Sequence, residues 1–217
     1  MLNVEIWSDI VCPFCYIGKR NFELACEQFP HPVEITWRSF ELQKDAPKKQ
    51  AGPTTKSLAA RLAEKYGKSL EWAHAMNKQV TEKAASVGLA FDLDRVVPAN
   101  SFDGHRLIQL AKTFGLQDQA EERLFSAYFI EGKDISDSST LIALGSEIGL
   151  DADDVRSMLG GDRYGAEVRS DEQTATEMEV SGVPFFVINQ RYAISGAQPV
   201  ELFVETLHKV WTEETKK

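Results

Sequence analysis

Cys12-Pro13-Phe14-Cys15 holds two thiols three positions apart, just after the apolar run Leu2–Trp7. Proline is excluded from a helix interior but suits a first turn, so the spacing predicts strand, loop, then a helix opening at Cys12. A thiol at a helix start meets unpaired N–H groups and the positive end of the helix dipole, both of which favour the nucleophilic thiolate. A thiol one turn later can attack the mixed disulfide that the first one forms. Together they are the minimum equipment for thiol–disulfide exchange. Cys12 is expected to be the more exposed nucleophile of lower pKa, and Cys15 the resolving thiol.

The competing readings of such a pair are two unrelated buried thiols or half of a zinc site, and zinc needs about four ligands. The remaining cysteine is Cys26, and His31, His74, His105 and His208 have no paired spacing. Cys26 lies eleven residues after Cys15 on the same helix, roughly 16 Å along its axis. A disulfide requires Cα atoms within about 7 Å. Cys26 also falls in the stripe Phe22, Ala25, Cys26, Phe29, so it is expected to be buried and structural.

The elements that must hold the dithiol follow from periodicity. Leu2–Ser8 reads as a strand, and the helix after Cys12 runs to about Phe29, before Pro30-His31-Pro32. Val33–Phe40 alternates as a second strand, which makes a parallel βαβ unit. Lys44–Ser57, with Pro47, Gly52 and Pro53, reads as a linker. From Leu58 to about Glu179 the period is helical, too long for a loop. Helix ends are marked by Gly88-Leu89, Gly115-Leu116 and Gly149-Leu150, and starts by Asp137 or Ser138 and by Asp151. Strands return at Val183–Asn189 and Arg191–Ser195 with a hairpin at Asn189-Gln190, although that turn lacks glycine. A helix over Pro199–Trp211 closes the chain. The expected fold is α/β, a thioredoxin-like layout with a large helical insertion: residues 1–45 and 180–217 form the thioredoxin-like part, and 55–179 the inserted helices.

Val183-Pro184 is the second candidate site. Proline at a strand head is ordinary edge punctuation. Gly182 before it and the strand after it are compatible with a cis bond, a minority state for X–Pro. In this layout the proline begins the strand that reaches the dithiol end of the sheet. A cis bond there would offer Val183 N–H and C=O to a substrate backbone. Asp9 either caps the helix or sits near Cys12, opposing its ionisation or relaying a proton; capping is the expectation. Asn100, His105 and Arg106 gather at one helix start and read, by themselves, as a solvated face plus an N-cap. Trp7, Phe14, Trp37 and Phe186 are expected in the core.

The 217 residues are 43% apolar and 26% charged with net charge −9, an ordinary globular composition with no call on nucleic acid or a membrane surface. Apolar runs are too short for a membrane span. Strand-like sequence follows Met1 directly, without a leader pattern, so the cytoplasm is the expected compartment. A cysteine pair there is catalytic or metal-binding rather than a structural disulfide.

Asp9 to Gly18 (DIVCPFCYIG), Ser101 to Leu107 (SFDGHRL), Glu131 to Ile135 (EGKDI), Gly182 to Phe186 (GVPFF) and Ser195 to Gln198 (SGAQ) together resemble the DsbA-like thioredoxin-fold proteins, in particular their FrnE-type cytoplasmic branch. The resemblance spans essentially the whole chain. It implies disulfide oxidoreductase chemistry at Cys12 and Cys15, a cis-proline at Pro184, and a place facing the dithiol for Asn100, His105 and Arg106. Asp9, Pro13 and Phe14 would shape the helix opening. No bound cofactor is implied; glutathione or thioredoxin would serve as redox partner, and a thiol or disulfide protein or glutathione as substrate. The same fold includes 2-hydroxychromene-2-carboxylate isomerases and kappa-class glutathione transferases, which carry Ser where this chain has Cys12. A glutathione-dependent isomerase or transferase, or a non-catalytic redox-regulated binding module, are the alternative readings. Some FrnE-type members carry a further cysteine pair beyond the domain; none occurs here up to Lys217.

Overall fold

The computed structural model describes residues 1–46 and 56–215, so most of the expected linker Lys44–Ser57 lies outside the described residues. Its chain divides into two compact units, residues 1–42 with 166–217, and residues 43–165.

The first unit is built on a four-stranded sheet in the order β2-β1-β3-β4: β1 (Leu2–Ser8), β2 (Val33–Ser39), β3 (Phe185–Ile188) and β4 (Tyr192–Ser195). Strand β1 pairs parallel with β2 and antiparallel with β3, and β3 pairs antiparallel with β4. Helix α1 (Pro13–Gln28) makes the β1–β2 crossover. Helix α9 (Val200–Thr215) closes the chain and packs along α1. The two-residue period of β1 sends Leu2, Val4 and Ile6 to one face, all fully buried. On that face Phe22 of α1, Phe186 of β3 and Phe203 of α9 meet with ring centroids 4.7–5.5 Å apart. The hairpin forms without glycine because Asn189 and Gln190 both adopt positive φ, at 48° and 54°, as a type I′ turn requires. The Asn189 side chain and backbone bind Asn3 from both directions, its Oδ1 accepting and its N–H donating.

Helix α8 (Gly165–Glu177) corrects the expected boundary. Residues 166–179, assigned by periodicity to the helical insertion, belong to the sheet unit. Here the burial partners decide. Trp7 Nε1 donates to Asp171 O at 3.0 Å, Ser39 N to Asp171 Oδ2 at 3.0 Å, and Glu41 N to Glu172 Oε1 at 3.2 Å. Ala175 and Val180 pack with Trp7 and Val187 on the second face of the sheet.

The second unit contains α2 (Leu58–Tyr66), α3 (Leu70–Ala85), α4 (Phe102–Lys112), α5 (Gln117–Phe129), α6 (Ser138–Glu147) and α7 (Ala152–Gly160). Helices α2 and α3 share a small cluster of Ala59, Ala63 and Ala73, while α4 packs on α5, α6 and α7. The Gly-Leu pairs end helices as expected: Gly88, Gly115 and Gly149 have positive φ, and the N–H of the following Leu returns to the helix, to Ala84, Ala111 and Gly145. Asp137 accepts from Thr140 N, and Asp151 from Asp153 N and Asp154 N, as N-caps.

Candidate functional site

The site begins where β1 ends. Chain direction reverses over residues 9–12, with Cys12 N donating to Asp9 O at 2.9 Å. Cys12 becomes the N-cap of α1 in extended conformation, and Pro13 takes the first helical position, where its missing N–H costs nothing. The Cys12 side chain does not cap the helix. Its Sγ lies instead 3.6 Å from Val183 O, which places the thiol beside the peptide preceding Pro184. That Val183–Pro184 bond is cis, and Gly196 N binds Pro184 O at 2.8 Å.

Helix α1 can approach this turn because position 18 is glycine. A Cβ there would come within 2.8 Å of Pro184 Cγ and 3.4 Å of Phe186 Cζ. The same close packing hides the thiols: Cys12 is 5% exposed and Cys15 1%. Burial pushes the Cys15 thiol well above its ordinary value, and hydrogen bonding and charge from Cys12 push the same way. The Asp9 backbone N–H and the Ser8 hydroxyl pull it back.

Three expectations need correction. Asp9 does not cap α1. Its buried carboxylate accepts from Val11 N at 3.3 Å and Leu42 N at 2.7 Å, so it ties the turn to the chain leaving β2. Phe14 is not core: it is 40% exposed, because the first helical turn points its second residue outward. Cys26 is half-buried rather than buried, at the rim of its stripe; burial, helped by the Glu23 charge, pushes its thiol up to about 12. Trp7, Trp37 and Phe186 are buried as expected.

Asn100, His105 and Arg106 lie in the helical unit, and all three are buried rather than solvated. Asn100 accepts from Phe102 N at 2.9 Å and donates to Ala46 O at 2.8 Å, so it organises the start of α4. Arg106 spends its guanidinium on the carbonyls of Met158, Gly161 and Arg163 at the end of α7 and on Asp103. The C-terminal carbonyls of a helix are natural partners for a cation.

Ser8 is the site residue that motif reading passes over. It is 1% exposed and its Oγ has no hydrogen-bond partner among the described residues. The available signal was a hydroxyl at a core-facing position, two after Ile6. No group of three or more potential metal ligands occurs among the described residues, and no helix among them is long and apolar enough to cross a membrane.

A four-stranded mixed sheet with a dithiol at the first helix, a proline turn against it and a helical insertion define a thioredoxin-like fold. The DSBA-like thioredoxin domain model matches residues 3–208, and the chain belongs to that family. A probable DsbA oxidoreductase from Streptomyces coelicolor is 39% identical with a TM-score of 0.92, over 98% of this chain and 91% of that one. An uncharacterized protein of Bacillus subtilis, YwbO, is 28% identical over 100% of this chain and 98% of its own length. The cytosolic disulfide reductase DsbM from Pseudomonas aeruginosa, solved with GSH, shares the fold at 17% identity and a TM-score of 0.66, over 97% of this chain and 99% of that one.

Proposed function

We propose that the chain is a thiol–disulfide oxidoreductase that uses Cys12 as nucleophile and Cys15 as resolving thiol. The observation that carries this reading is the position of Cys12: N-cap of α1, its Sγ against Val183 O, with a more deeply buried thiol one turn behind. The helix start stabilises charge that develops on Cys12 sulfur. A substrate disulfide meeting Cys12 forms the mixed disulfide and releases one substrate thiolate. Cys15 sulfur then attacks Cys12 sulfur, the Cys12–substrate bond breaks, and the electron pair leaves with the second substrate thiolate. The protein ends oxidised and the substrate reduced; run backwards, the same steps oxidise a dithiol.

Val183 and Pro184 form the platform for the substrate backbone in this reading, and Pro13 and Phe14 shape the approach to Cys12. The partner is a protein disulfide or glutathione in the cytoplasm, with no bound cofactor. The fold shared with a reductase solved with GSH supports glutathione as one such partner.

Trapping tests it. A Cys15→Ser variant is expected to accumulate a mixed disulfide on Cys12 in cells, identified by mass spectrometry as protein-bound or glutathione-bound. Absence of any Cys12 adduct, together with no reduction of glutathione disulfide or of a disulfide-bonded peptide by the wild type, would overturn the proposal.

A further inference from the structure

The resolving thiol poses a problem that the dithiol alone does not solve. Cys15 is 1% exposed, yet it must lose its proton to attack the mixed disulfide. A charge in such a place needs donors that are already there, because burial strips it of most of its hydration. One such donor is the backbone N–H of Asp9.

Ser8 is placed to be a second. Residues 4, 6 and 8 of β1 share one face. Ile6 pairs in register with Phe186, and Phe186 packs on Phe22 of α1, so this is the face that α1 covers. Ser8 ends that row at the strand terminus from which the chain turns into α1. Its backbone carbonyl is used by Phe40 N, at 3.0 Å. Its hydroxyl, fully buried, has no partner among the described residues. A buried hydroxyl without a partner costs stability, and natural cores rarely keep one without a use. Although it makes no settled hydrogen bond in this arrangement, the hydroxyl is near enough to Cys15 to favour the ionised sulfur.

We propose that Ser8 is a positioning residue for the resolving half-reaction: its hydroxyl rotates to donate to Cys15 sulfur as that sulfur gives up its proton to water. The Cys15 sulfur then forms the bond to Cys12 sulfur, and the substrate thiolate departs and is protonated by solvent. Ser8 exchanges no electrons and has no role in the first attack by Cys12.

This inference rests on the oxidoreductase reading, and its test separates the two. Reduced protein is mixed with excess glutathione disulfide, and the reaction is quenched in acid over time and weighed by mass spectrometry. The bimolecular phase reports Cys12; the concentration-independent phase reports closure by Cys15. Ser8→Ala is expected to keep the first phase and to slow the second by about tenfold or more, the loss expected for one hydrogen bond to a charged acceptor. Its mixed disulfide accumulates, and the pH midpoint of the second phase moves upward. Ser8→Thr, which retains the hydroxyl, is expected to restore both rate and midpoint. Closure by Ser8→Ala at the wild-type rate and midpoint overturns the inference. So does Ser8→Thr matching a slow Ser8→Ala, which would make the defect one of packing. A wild type with neither phase defeats the oxidoreductase reading instead.

Discussion

The polar groups buried around α4 in the helical unit and those buried beside the dithiol in the sheet unit are used in different ways. In the helical unit, buried Arg106 is surrounded by the carbonyls that end α7 and buried Asn100 accepts the first N–H of α4, while the exposed Asp137 and Asp151 serve backbone donors at helix starts. Each of these groups has completed its chemistry by holding the chain. In the sheet unit, Cys12, Cys15 and Ser8 are equally buried but hold little: two thiols and a hydroxyl gathered where β1 passes into α1. Residue type therefore does not separate function from structure in this molecule. Whether bonding capacity has been used does.

That contrast can be broken by substitution. The largest effect is expected from Cys12→Ser, which should abolish disulfide exchange by several orders of magnitude while changing unfolding free energy by less than about 1 kcal/mol. Urea titration beside an exchange assay checks both. Arg106→Ala should do the reverse in kind, costing about 3–5 kcal/mol because several buried carbonyls lose their partner and Asp103 loses its cation. An unchanged urea midpoint would remove the helical half of the contrast. Gly18→Ala tests the join between α1 and the Pro184 turn. The added methyl meets Pro184 Cγ at 2.8 Å, and overpacking of this kind costs about 1–3 kcal/mol. Exchange should fall more than stability explains, since Cys12 and Val183 move apart.

Smaller effects sharpen the comparison. Asp151→Ala should cost about 1 kcal/mol, the usual loss of an N-cap, without altering Cys12 alkylation. Glu131 is held at about 2 by hydrogen bonding to Arg123 first and then by Lys133, well below its ordinary 4.5. Its contribution is present above about pH 4.5 and is lost as pH falls toward 2. Glu131→Gln should therefore lose a little stability at neutral pH and show a shallower acid limb, measured by thermal melts from pH 7 to 2.

Much of this was legible in sequence because it is local. The Gly-Leu helix ends, the caps at Asp137 and Asp151, and the N1 proline each need a few neighbouring residues, and each appears where spacing puts it. The dithiol was legible for the same reason. What was not legible depends on partners far along the chain. Asp9 looks like a cap until Leu42 N claims it. Residues 166–179 have the helical period of the insertion, and Trp7, Ser39 and Glu41 assign that segment to the sheet unit. Arg106 looks solvated until the carbonyls of Met158, Gly161 and Arg163 arrive. Ser8 gave no motif, since a hydroxyl closing an apolar strand is informative only when its neighbours are known.

The strand order has a consequence in time. Strand β1 lies between β2 and β3, yet about 170 residues separate Cys15 from Phe185. At roughly 5–20 residues per second, a ribosome needs on the order of ten seconds or more after making Cys15 to deliver β3. During that interval the nascent chain carries both thiols with neither β3 nor Val183 O beside them. The dithiol is thus among the earliest parts of the site to be made and among the last to be sheltered. Its vulnerability to stray oxidation is greatest before the protein is complete.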